Sequence, residues 1–208
     1  MCLCKEKSAC KGAPQRETNH HYKWLFSLTF SAQFSLCTTN GKTMSASAVF
    51  EDLIGQPLAN PYKEALFARE SLLEQSLSAY QAVLTPNAPG LWSHDLRAAL
   101  GFRIATLTNS LAAAGGIRKY AARRVFDGWL QNVANATVIA YSDAPAWLNA
   151  ALDYTDTLTL RTHTASQSLI EALRQHGVSD EDCVKLAELV ATLSYQIRLI
   201  VGFQALQA

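Results

Sequence analysis

Ser179–Leu206 reads SDEDCVKLAELVATLSYQIRLIVGFQAL, and its pattern decides the fold class. Ser179-Asp180-Glu181-Asp182 is an S-x-x-D capping box that places three carboxylates in the positive first turn of a helix. Val184, Leu186, Ala187, Leu189, Val190, Leu193, Ile197, Leu199 and Val201 then make the helix apolar almost all round. So wide an apolar surface belongs inside a bundle or at an oligomer interface.

Working back toward the N-terminus, every segment carries helical signals. Gly177 ends a preceding helix that Thr164 or Ser166 caps. Asp143-Ala144-Pro145 opens another through Trp147, Leu148, Leu152 and Leu158. A further helix runs from about Ile117 into the 130s, with Tyr120, Val125, Trp129 and Val133 apolar and Arg118, Lys119, Arg123 and Arg124 solvated. Ser93 caps a helix with the stripe Leu96, Leu100, Ile104, Leu107 and Leu111, which Gly115-Gly116 stops. Asn60 as N-cap and Pro61 open one helix through Leu66, Leu73, Leu77, Tyr80 and Leu84. No strand with flanking turn signals survives, so the expected fold class is all-α.

Composition sets the bounds. The chain has 208 residues, 49% apolar and 17% charged, enough to bury a sizeable core in one domain plus an appendage. The net charge of +1 gives no global field for nucleic acid. No run of about 20 consecutive apolar residues exists, so no membrane span is expected. The averages hide a split at Met44. Residues 1–43 carry net +4 and four of the five cysteines, while residues 44–208 carry net −3 and Cys183 alone. One cysteine allows no disulfide within the body, which suits a reducing cytoplasm.

Residues 1–43 show no periodicity and are read as a disordered or non-native extension, functionally silent, ahead of a helical domain at 44–208. Trp24–Cys37 resembles a signal-peptide apolar region and Ala46-Ser47-Ala48 a cleavage site, but Ser, Thr and Gln interrupt the run. Cys2, Cys4, Cys10, His20 and His21 match no tetrahedral zinc spacing, so no metal and no cofactor is expected.

The body contains no C-x-x-C, H-E-x-x-H, Walker A or G-x-S-x-G motif. His176, before Gly177, suits a helix C-terminus. His163 reads as a surface or capping residue. His94, in the first turn after Ser93, is a candidate general acid or base, against an exposed first-turn position. Cys183 reads as a small core thiol kept protonated by burial and by three carboxylates. Arg198 needs a partner in its apolar helix: a carboxylate inside the bundle or across a subunit interface, or an anionic substrate.

Several of these segments, in order, resemble the carboxymuconolactone decarboxylase and AhpD-like alkylhydroperoxidase superfamily over about residues 50–206. They are Arg97, Ala112-Ala113-Ala114 and Tyr120, then Leu158-Thr159, Leu173-Arg174 and Gly177-Val178-Ser179-Asp180-Glu181. Ser194-Tyr195-Gln196-Ile197-Arg198 is similar to the family's Asn-Phe-x-x-Arg signature. The resemblance implies an AhpD-like helical bundle, a homo-oligomer and a link to peroxide defence. Active members carry a C-x-x-C pair followed by His; here those positions fall near Leu111, Ala114 and Arg118. No Cys or His lies between Ala98 and Thr162, so dithiol peroxidase chemistry is not expected. Two readings follow. One is a decarboxylase or isomerase with His94 and Tyr120 moving protons and Arg198 and Tyr195 binding substrate. The other is a non-catalytic oligomeric protein that binds a small molecule. A one-cysteine peroxidase through Cys183 is a third, and needs that thiol exposed.

Overall fold

The computed structural model describes residues 45–54, 58–109, 128–136 and 144–206. Among these residues the fold is all-α: eight helices, one 3-10 turn and no strand. The helices are α1 Ala46–Ile54, α2 Asn60–Phe67, α3 Glu70–Leu84, α4 His94–Leu107, α5 Gly128–Ala134, α6 Leu148–Leu160, α7 Gln167–Gln175 and α8 Asp180–Ala205. Residues 110–127, which hold most of the helix expected from Ile117, Tyr120 among them, lie outside the described residues.

α8 is the helix around which the others gather. Its 26 residues span about 39 Å, and it packs against α1, α3, α4, α6 and α7. Leu186, Leu189, Val190, Leu193, Ile197 and Ile200 turn inward and are buried. Opposite them lie fully buried Phe50 of α1, Leu77 of α3, Leu100 and Ile104 of α4 and Leu148 of α6. Each such side chain contributes roughly 1.5–3 kcal/mol by leaving water. By length and composition α8 is also apolar enough to cross a membrane. A helix that packs on five others needs the same apolarity.

Local chemistry sets several boundaries where the sequence places them. The Ser179 hydroxyl accepts the Asp182 N–H at 3.1 Å and opens α8. Ser93 Oγ accepts the Leu96 N–H at 3.3 Å and opens α4. α7 ends in a Schellman motif. Gly177 has φ +83°, the Val178 N–H donates to the Leu173 carbonyl and the Gly177 N–H to the Arg174 carbonyl. Val178 and Leu173, the apolar pair of that motif, are both buried. His176 caps as read, its Nδ1 2.8 Å from the Ala172 carbonyl oxygen.

Other boundaries differ. The helix expected from Asn60 through Leu84 is two helices, broken at Ala68-Arg69, although Leu66, Leu73, Leu77, Tyr80 and Leu84 are buried as expected. Asn60 is the first helical residue, not the cap; Ala59 precedes it and supplies no side-chain bond. α4 stops at Leu107, well before Gly115, because Thr108 Oγ1 turns back to the Ile104 carbonyl and Asn109 adopts φ +55°. Asn tolerates that left-handed conformation better than most residues. Ser166 precedes α7 without making a side-chain cap bond. Ala46-Ser47-Ala48 forms the first turn of α1 with Ala46 and Ser47 buried, a helix the sequence reading did not anticipate.

Candidate functional site

A polar junction in the core joins the loop between α3 and α4 to the start of α8. Its centre is Arg97, one turn into α4 and 3% exposed. The guanidinium donates to three main-chain carbonyls: from Nε to Trp92 at 2.8 Å, from Nη1 to Val83 at 2.7 Å and from Nη2 to Pro89 at 3.1 Å. Burial pushes its pKa down, while the nearby charges of Glu188 and Asp182 pull it up. A guanidinium is not deprotonated in proteins, so the group stays charged.

The loop is tied to α8 by separate bonds. Trp92 is fully buried and its indole N–H donates to the Asp182 carbonyl at 2.8 Å. Its ring meets Trp147 edge to face at 5.3 Å. The Leu91 N–H donates to Asp182 Oδ1 at 3.1 Å. Gly90 has φ +65°, where a side chain is strained, and a Cβ there would push the Asp182 carboxylate away from the Leu91 N–H. Asp182 therefore serves the α8 cap and the loop together.

A second buried charge holds α4 to α6. Arg103 makes a bidentate pair with Asp156, Nε to Oδ1 at 2.6 Å and Nη2 to Oδ2 at 2.5 Å. The arginine side chain is 8% exposed. Sequence reading did not select Arg103 or Asp156. The available signal was helical phase: Arg103 lies seven residues after Leu96, and Ile104 seven after Arg97. Both arginines thus belong to the arc that carries the apolar stripe.

Among the described residues expected at a site, His94 lies at the start of α4, while Tyr195 and Arg198 lie in the C-terminal half of α8. His94 is half-buried with Nε2 2.9 Å from the Pro86 carbonyl oxygen, which makes it another loop anchor. Tyr120 lies outside the described residues. Tyr195 is 53% exposed and Arg198 is exposed beside it on the outer face of α8. Arg198 is not sheltered inside the bundle, which corrects one of its two structural readings. It stands sixteen residues beyond Asp182, about 24 Å along the helix from the loop that His94 anchors. Within Ser194–Arg198 the inward residues are Gln196 and Ile197; Gln196 Nε2 donates to the Ser76 carbonyl at 3.0 Å. Among the described residues no group of three His, Cys, Asp or Glu side chains is placed to hold a metal.

No known protein-family model matches this chain, and no curated protein or solved structure matches it either.

Cys183 is 5% exposed. Burial raises its pKa most, with Asp180 and Asp182 adding to the rise and Arg174 opposing it. Tyr154, buried beside it on α6, is raised by burial and by Cys183. Both groups hold their protons more tightly folded than unfolded. The unfolded thiol begins to ionise near pH 8.5, so alkali favours the unfolded chain from there upward. The free energy of unfolding, followed by urea titration, is expected to be flat near neutrality and to fall above about pH 8.5. Cys183→Ser removes the first part of that fall. Parallel profiles for the two proteins would contradict the assignment.

Proposed function

We propose that this chain is a non-catalytic, self-associating cytoplasmic protein on an AhpD-like helical bundle, one that binds a small molecule and lacks the thiol peroxidase chemistry of the family it resembles. The observation that carries this reading is the employment of its reactive side chains. Arg97, Arg103 and His94 each bond to partners that hold helices or the α3–α4 loop in place. Cys183 is buried with a raised pKa, whereas a peroxide-reducing thiol must be exposed and ionised. The acid–base alternative asks His94 and Arg198 to converge; against it stand the bond of His94 to the Pro86 carbonyl and the exposure of Arg198 on α8.

The test is peroxide consumption with a lipoyl or thioredoxin-type reductant. No turnover above the free-thiol background is expected from the chain beginning at Met44, and Cys183→Ser is expected to change nothing. Robust turnover abolished by that substitution would overturn the proposal in favour of a one-cysteine peroxidase.

A further inference from the structure

The outer face of α8 exposes Val184, Glu188, Ala191, Tyr195, Arg198 and Gly202. Their spacing alternates four and three, the 3.5-residue repeat of a coiled-coil seam. At 100° per residue all six fall within about 40° of one line along the helix. That line lies opposite the buried residues Leu186, Leu193 and Ile200.

Two features of this seam are little used among the described residues, where Glu188 acts on Arg97 only through its charge. Gly202 sits inside the helix, where glycine weakens it, and a Cβ there would meet nothing within 4 Å. Glu188 and Arg198 make no ion pair among the described residues.

Both features find a use against a second copy. An antiparallel partner related by a two-fold axis level with Leu193 brings Glu188 opposite Arg198, Ala191 opposite Tyr195 and Val184 opposite Gly202. Symmetry repeats each pair. Every layer then sets an anion on a cation, or a larger side chain over a small one. The parallel arrangement stacks Glu on Glu, Arg on Arg and Tyr on Tyr, and brings together two Asp180-Glu181-Asp182 clusters. Sliding the antiparallel pair by one heptad in either direction leaves Glu188 opposite an alanine, Ala191 or Ala205. We propose that α8 is a homodimerisation element that takes a second copy of this chain antiparallel in this register. The proposal rests on the self-association in the proposed function and adds its surface and geometry. The charged layer sets the register more than it adds affinity, as polar residues in coiled-coil seams do.

The experiment measures the dimer dissociation constant of the full chain by sedimentation equilibrium. Wild type is expected to dimerise at micromolar concentration. Glu188→Arg and Arg198→Glu are each expected to raise the dissociation constant at least about tenfold, because each creates two like-charge contacts. The double reversal is expected to restore it to within about threefold, since both charge pairs re-form in the same register. Glu188 and Arg198 are exposed, and circular dichroism of each variant separates a lost interface from a folding defect, which Glu188→Arg risks because its charge acts on Arg97. A dimer indifferent to both reversals would overturn the register while leaving self-association standing. Single reversals that the double reversal fails to rescue would also overturn it. A wild-type chain that stays monomeric would overturn both; if it also floats with phosphatidylcholine/phosphatidylglycerol vesicles, the face belongs to lipid. Peroxide turnover is read separately, so the fate of the chemical proposal does not decide this one.

Discussion

Arg97→Met is expected to lower the free energy of unfolding by at least about 3 kcal/mol, measured by urea denaturation. Three hydrogen bonds from a charged donor contribute roughly 1.5–3 kcal/mol each. Methionine fills part of the space, and removal of a buried charge returns some desolvation energy. Neither supplies a donor to the carbonyls of Val83, Pro89 and Trp92, which close the loop over the core. Arg97→Lys is expected to recover less than half of the loss, because an ammonium is a compact point donor and cannot match the guanidinium fork. A loss under about 1 kcal/mol for Arg97→Met would mean that the Trp92 and Asp182 bonds hold the loop unaided.

Asp156→Ala is expected to cost about 3 kcal/mol, toward the lower end for a broken buried pair. It leaves the Arg103 guanidinium between α4 and α6 without its counter-charge. The loss is moderated because the Asp156 side chain is 25% exposed and water can enter. The paired replacement Arg103→Met with Asp156→Leu is expected to lose less than half as much, because no orphaned charge remains. The exposed Arg174–Asp180 pair is the contrast, since both side chains are more than half in water. Asp180→Asn there is expected to leave stability nearly unchanged, because water screens an exposed pair. If Asp156→Ala and Asp180→Asn cost the same, burial does not govern these pairs.

The features legible in the sequence are those whose physics closes within a few residues. The S-x-x-D box at Ser179 opens α8, Gly177 at φ +83° ends α7, and Ser93 caps α4. Periodicity likewise named the buried stripes, including Leu73, Leu77 and Tyr80 on α3. The break at Ala68-Arg69 was not legible, since neither residue is a helix breaker and the stripe continues in phase across it. The early end of α4 is not legible either, because a lone Asn109 is a weaker stop signal than Gly115-Gly116. Arg103 and Asp156 are 53 positions apart, and no local pattern pairs them.

The candidate site divides the same way. Cys183 reads as a buried, protonated thiol from its neighbours in sequence, and in the fold it is buried with its pKa raised. Arg198 does not yield to that treatment. A helix apolar almost all round states that much of it must be covered, but which arc meets the bundle depends on where α1, α3, α4, α6 and α7 lie against it. Only their packing turns Gln196 inward and Arg198 outward, because burial is a relation between elements, whereas caps and periodicity are properties of one stretch of chain.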